Sequence, residues 1–343
     1  MKISLPRLAR PDRVLVFAPE WIALAAIVAI DAVWAECIGV HFDIALNDFV
    51  LPASIVAIAV FLRVARQEQG ALAAEFLAVT LSMAIVFTVL SYLSLASSSV
   101  LADDRLEALD RAIGFDWLVG FRLMTAHPWI EWTLDMLYRS LNFQALYACI
   151  LLGLMRREAR MRELFWLLLV AALLTDLGAL LFPSFGPFKM FGLESRGGFL
   201  PDMERLVAGR DLDFVLANLT GVINFPSFHT VMALTYAYAF RDTDIIGRVI
   251  AAANGGMLLA VPFVGGHYLI DVIGGVAVFA IALGLVKLRG QRMGARLPAR
   301  WGSFVPAGVP TMASPRREGT PMLAYTSQHR AAGETKHPPQ PGA

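Results

Sequence analysis

Apolar residues along this chain fall in long unbroken blocks, neither in the alternation of a half-buried strand nor in the one-sided stripe of a soluble helix. Eight such blocks stand out, at residues 21–41, 48–62, 71–100, 130–155, 164–182, 227–240, 249–264 and 268–288. A hydrocarbon layer about 30 Å thick asks for roughly 17–25 residues of helix. Lipid satisfies no backbone amide, and no run of about ten alternating residues suggests a barrel strand, so helix is expected for every block. The predicted fold class is therefore an all-α polytopic transmembrane helical bundle of about eight spans. The blocks at 227–240 and 249–264 are short for a full crossing unless flanking side chains snorkel or the bilayer thins. The block at 130–155 carries several polar residues.

Composition agrees with a bilayer as the solvent. Of the 343 residues 57% are hydrophobic and 17% charged, against roughly 45–50% and 25% in soluble domains, which argues against a soluble enzyme. The net charge of +1 suggests no nucleic-acid partner, but its distribution is uneven. One side of the alternating topology receives Lys2, Arg7, Arg10 and Arg13, then Arg63 and Arg66, then Arg156, Arg157, Arg160 and Arg162, then Arg241 and Arg248, and finally Lys287, Arg289, Arg292, Arg296 and Arg300. The other side receives Arg105, Arg111, Arg122, Lys189, Arg196, Arg205 and Arg210. Seventeen positives against seven put both termini in the cytoplasm by the positive-inside rule. An integral protein of a bacterial inner membrane is expected, with any site at the opposite loops facing the extracytoplasmic side.

The first block holds Asp31 and lacks a small-x-small cleavage site, so it reads as an uncleaved helix and not as a signal peptide. From Trp301 onward Pro, Gly, Ser, Thr and charge dominate, which predicts a disordered cytoplasmic tail at 301–343. Residues 1–20 read as a cytoplasmic arm, 21–70 as two accessory helices and 71–288 as the core. Cys37 and Cys149 lie in apolar runs and suggest neither disulfide nor cysteine metal site.

Two of the six histidines are distinctive. His329 and His337 fall in the tail, and His41 and His127 at membrane edges. His229 stands in Asn224-Phe225-Pro226-Ser227-Phe228-His229-Thr230, and His267 in Gly265-Gly266-His267-Tyr268-Leu269-Ile270-Asp271. Each motif begins an apolar helix on the same predicted face. Asp271, four residues after His267, can accept a ring N–H on one helical face, leaving the other nitrogen as nucleophile or base. Gly266 and Ser227 bring close backbone and a hydroxyl to two helix N-termini, where free N–H groups favour an anion, and Pro226 suits a first helical position. A structural His/Asp pair, or part of a metal site, is the competing reading of the same residues.

Taken together, Pro-Ser-x-His followed about forty residues later by His-x-x-x-Asp resembles the phosphatidic-acid phosphatase type 2 superfamily, in particular its branch similar to inositol phosphorylceramide synthases. The resemblance covers residues 71–288 as a six-helix core. It implies His267 as nucleophile, forming a phosphohistidine, Asp271 as its orienting partner and His229 as general acid, with no metal and no cofactor. It also implies a lipid substrate held in the membrane. Two family features are missing. The loop Phe182-Pro183-Ser184-Phe185-Gly186-Pro187-Phe188-Lys189 has no Arg-Pro after its lysine, and Ala260 and Val261 stand where the phosphatases have Ser-Arg. These departures, with the segment Leu109–Asp116, are closer to the phosphotransferase branch.

A pentavalent transition state still needs positive charge. Arg139 is the first candidate, because an ion inside a span is costly and usually functional, although Asp135 four residues earlier offers it a simple ion pair. Lys189 and Arg196, on the long outer loop, are further candidates. Asn142, Gln144 and Asp176 suit interhelical hydrogen bonds. Asp31 and Glu36 receive no catalytic role. Trp21, Trp129, Trp132 and Trp166 suit an interfacial belt, and Gly274-Gly275 suits close helix packing. A transporter or a nonenzymatic scaffold would also use intramembrane charge, but the best residues sit at helix ends on one face, not at the midplane of broken helices.

Overall fold

The computed structural model describes residues 15–98 and 100–296, with the side chains of Asn142 and of residues 290–296 left aside. Most of the N-terminal arm, the tail at 301–343, Arg300, His329 and His337 lie outside the described residues.

All eight apolar blocks are helical. The long helices are α1 (Ala18–Ile38), α2 (Val50–Val64) and α3 (Glu68–Ala96). Two short helices, α4 (Asp103–Ala112) and α5 (Trp117–Thr125), precede α6 (Pro128–Leu154) and α7 (Glu158–Leu181). After α8 (Pro187–Met190) and α9 (Leu200–Ala208) come α10 (Phe228–Ala239), α11 (Asp244–Val264) and α12 (Leu269–Arg296). Among the described residues six helices are long and apolar enough to cross a membrane: α1, α2 with the turn before it, α3, α7, α11 and α12. This is an integral membrane protein. The outward faces of α1 and α2 expose Ile22, Ile30, Val33 and Phe61, residues for which lipid is the fitting solvent.

The remaining two predicted spans differ for physical reasons. Helix α6 has 27 residues, but Glu131, Asp135 and Arg139 occupy its first half, and its apolar stretch is Phe143–Leu154. Helix α10 has only 12 residues, a rise of about 18 Å.

Close approach between helices, more than apolar burial, holds such a bundle together. Helix α3 packs on α1, α2, α6 and α7, and α10 on α7, α11 and α12. A side chain at Gly153 would lie 2.5 Å from Ala73, so α3 and α6 touch backbone to backbone. Gly275 would likewise meet the Ser227 carbonyl at 2.5 Å, which fulfils the expectation for Gly274-Gly275. Phe76, Leu152, Met161 and Phe165 fill the centre. Gln144 hydrogen-bonds across helices as expected, accepting from Asn254 at 2.7 Å. Asp176 departs from its expectation: it is buried, and its Oδ1 has no partner among the described residues.

At one end the cations predicted for the basic side close ion pairs between helix ends. Arg162 meets Glu20 at 2.8 Å, Arg63 meets Glu75 at 2.9 Å, and Arg160 pairs with Glu163 at 2.9 Å and with Asp242. Arg241 and Tyr238, at the end of α10, both reach Glu163. At the other end the segment 183–226 folds as a cap. Its strand β2 (Asp213–Val215) pairs in parallel with β1 (His41–Asp43). The cap core buries Tyr92, Trp117, Phe188, Leu200, Met203 and Phe214, and Tyr92 donates to Asp202 at 2.5 Å.

Candidate active site

The site lies where α10 and α12 begin. Ser227 caps α10, its hydroxyl accepting from the Thr230 N–H at 3.4 Å. Pro226 therefore precedes the cap and does not occupy the first helical position expected for it; the Phe225–Pro226 peptide is cis. His229 is the second residue of α10. Its counterpart His267 sits in the turn before α12 and not on the helix itself, because Gly266 takes φ +69°, a conformation open to glycine. The two starts are tied together by the Ser227 N–H, which donates to the Asp271 carbonyl at 3.0 Å.

His267 is 2% exposed and Asp271 fully buried. The ring Nδ1 approaches the Asn224 carbonyl at 2.9 Å and Asp271 Oδ2 at 3.3 Å. A carbonyl only accepts, so Nδ1 carries the hydrogen and Nε2 the lone pair. Nε2 lies 3.5 Å from the Ser227 hydroxyl. The Asp271 carboxylate is steadied by the Tyr268 N–H at 2.9 Å. Burial draws the His267 imidazole down to about 4, with the Asn224 bond opposing that shift. The His267 and His229 rings meet edge to face with centroids 5.8 Å apart.

Two acidic residues that sequence reasoning passed over build the frame. Asp110, within the segment noted for its resemblance, accepts the Leu269 and Ile270 N–H groups at 2.8 Å each and so caps α12. Asp103 accepts from the Ser184 hydroxyl at 2.9 Å, the Gly186 N–H at 2.8 Å and the Tyr268 hydroxyl at 3.2 Å. The Asn224 side chain donates to the Ser184 carbonyl at 3.1 Å, and the Trp117 indole donates to the His267 carbonyl at 3.1 Å. The backbone around His267 is thus held from α4, α5 and the 183–188 loop at once.

His229 opens on a cavity of about 650 Å³, also lined by Trp132, Asp135, Tyr138, Arg139, Arg196 and Phe188. Arg139 pairs with Asp135 at 2.7 Å, the simple ion pair the sequence offered, and also lines this cavity. Arg196 reaches in from the cap, 2.7 Å from Glu131. Lys189 is not brought to this cavity. It lines a separate small one and is held by Glu204 at 2.6 Å, which raises its ammonium above the usual lysine value. Trp132, expected from the sequence to suit an interfacial belt, lines the cavity wall. The Tyr138 hydroxyl lies 2.9 Å from His229 Nε2, a partner whose one signal in the sequence is its place beside Arg139 in the polar half of α6.

His229 and the two arginines line the open cavity, while His267 and Asp271 are buried behind His229 and do not line it. Two imidazoles, an orienting carboxylate and two nearby arginines suit transfer of a phosphoryl group. A family model described as the PAP2 superfamily matches residues 104–285, just over half of the chain. No curated protein and no solved structure matches it.

Proposed function

The chain belongs to the PAP2 superfamily, and from that membership of phosphatase- and phosphotransferase-type enzymes we propose a lipid phosphotransferase, similar to inositol phosphorylceramide synthases, working through a phosphohistidine on His267. The observation that carries this reading is the commitment of His267 Nδ1 to Asn224 and Asp271, which leaves Nε2 unprotonated. In the first step Nε2 attacks phosphorus while the P–O bond to the leaving group breaks. The electron pair goes to the leaving oxygen, which takes a proton from the His229 side. In the second step an acceptor hydroxyl gives its proton back to that side and displaces His267 from phosphorus. Arg139 and Arg196 supply the positive charge that the transition state needs, with the Ser227 hydroxyl and the backbone at Gly266 as further phosphate contacts. A lipid or polyol acceptor makes the protein a transferase, and water makes it a lipid phosphate or polyprenyl diphosphate phosphatase. The seventeen-to-seven charge asymmetry supports an extracytoplasmic site.

The test is to incubate purified protein with labelled diacylglycerol phosphate, phosphatidylinositol and polyprenyl diphosphate, with and without an alcohol acceptor, and to identify the products. Acid-labile label on wild-type protein, absent from His267→Ala, is expected. Wild-type turnover by His267→Ala on the whole panel overturns the reading.

A further inference from the structure

We propose that Tyr138 relays the proton of His229, so that the acid of this site is a tyrosine–histidine pair and not a lone imidazole. The inference rests on the phosphohistidine reading above. The Tyr138 hydroxyl is 2.9 Å from His229 Nε2, and the two rings stack with centroids 4.8 Å apart and planes inclined by 25°. Room for this arrangement comes from Gly265, where any side chain would lie 2.9 Å from the phenol oxygen. Tyr138 and His229 line the same cavity as Arg139 and Arg196.

The geometry restricts how a proton can travel. Nε2 already points at a phenol oxygen, so a proton leaving Nε2 toward the cavity passes through that oxygen. A phenol is both donor and acceptor, and with an ordinary pKa near 10 it does not act as the acid by itself at neutral pH. As a relay it needs no net change of charge. When the P–O bond breaks, the phenol O–H hydrogen moves to the leaving oxygen, which has kept the bonding electron pair. The phenol oxygen takes the Nε2 hydrogen of the His229 imidazolium in the same step, leaving a neutral ring. The flow reverses when the acceptor hydroxyl attacks: its proton passes to the phenol oxygen and the phenol hydrogen returns to Nε2.

The test is Tyr138→Phe, which keeps the stacked ring and removes only the oxygen. Two substrates are compared, dioctanoyl diacylglycerol phosphate, whose alkoxide must be protonated to leave, and p-nitrophenyl phosphate, whose phenolate leaves unassisted. Proton donation is worth roughly 10²–10⁴ in rate, so the ratio of alkyl to aryl kcat/KM, which reports only the step that expels the leaving group, is expected to fall about tenfold or more. Both rates come from one preparation, so a poorly folded fraction cancels from the ratio. An unchanged ratio, or equal loss of both activities, overturns the relay. His267→Ala is assayed alongside. If it abolishes turnover while the Tyr138→Phe ratio is unchanged, the relay alone falls; if it retains turnover, the phosphohistidine reading falls and takes the relay with it.

Discussion

The Nδ1 nitrogen of His267 lies closer to the Asn224 carbonyl, at 2.9 Å, than to the Asp271 carboxylate, at 3.3 Å. The tautomer of His267, the proposed nucleophile, is therefore held by backbone as well as by the acid four residues on. Replacing Asp271 by Asn should leave that backbone bond in place. Loss of the equivalent aspartate in serine proteases costs about 10⁴ in kcat; here Asp271→Asn is expected to retain roughly 1% of wild-type kcat, while His267→Ala shows none. Steady-state rates of the two variants check this, and equal inactivation would mean that the carboxylate alone sets the tautomer.

The pH dependence follows from burial of His267, which lowers its folded value to about 4 from an unfolded value near 6.5. Between those limits the unfolded chain binds the extra proton, so stability rises with pH through this window and is lost as pH falls from about 6.5 to 4. In the proposed reaction the same neutral imidazole is the attacking form, so the acid limb of kcat/KM is expected near pH 4 and not near 6.5. Melting temperatures and rates of detergent-solubilised protein across pH 4–8 test both, and His267→Asn should flatten the melting curve in that window.

Arg139 and Arg196 face the cavity from two elements, α6 and the cap. Arg139→Ala and Arg196→Ala are each expected to lower kcat/KM by roughly 10²-fold, in the range lost with one transition-state donor. Lys189→Ala, which removes a partner of Glu204 outside the cavity, should stay within about threefold of wild type. A larger loss at Lys189 than at Arg139 would show that the cap rearranges around substrate.

Gly266→Ala should be more harmful than a single methyl group suggests. The position takes φ +69°, and a Cβ there would lie 2.5 Å from the Phe188 ring. A non-glycine residue held in such a conformation costs about 1–3 kcal/mol, and relief by moving the turn displaces His267. A lower melting temperature together with a fall in kcat is expected; a drop in melting temperature with unchanged kcat would separate the turn from the chemistry.

The helices and the His267–Asp271 pair were legible in the sequence because both are local signals. Hydropathy marks each block by itself, and His267 and Asp271 are four residues apart. The supports were not legible, since each acts across a long stretch of chain. Asp110 caps a helix 159 residues away, Tyr138 meets His229 across 91 residues, and the Asn224 carbonyl has no side-chain identity to read. Lys189 and Arg196 looked equivalent as cations on one loop. They diverge because Phe188 turns inward against Gly266 while the chain beyond Gly192 brings Arg196 back over Phe121.

The shortness of α10 limits how far its first residues stand from the basic end of the bundle. Its C-terminal end is tied by Tyr238 and Arg241 to Glu163 at the basic end of the bundle. From there 12 residues climb about 18 Å through a hydrocarbon layer of about 30 Å. Ser227 and His229, at its other end, are therefore separated from the basic end by less helix than a full crossing needs. For the proposed lipid phosphate, such a short helix leads to the expectation that the thickness of the surrounding leaflet affects how readily the headgroup reaches the two histidines.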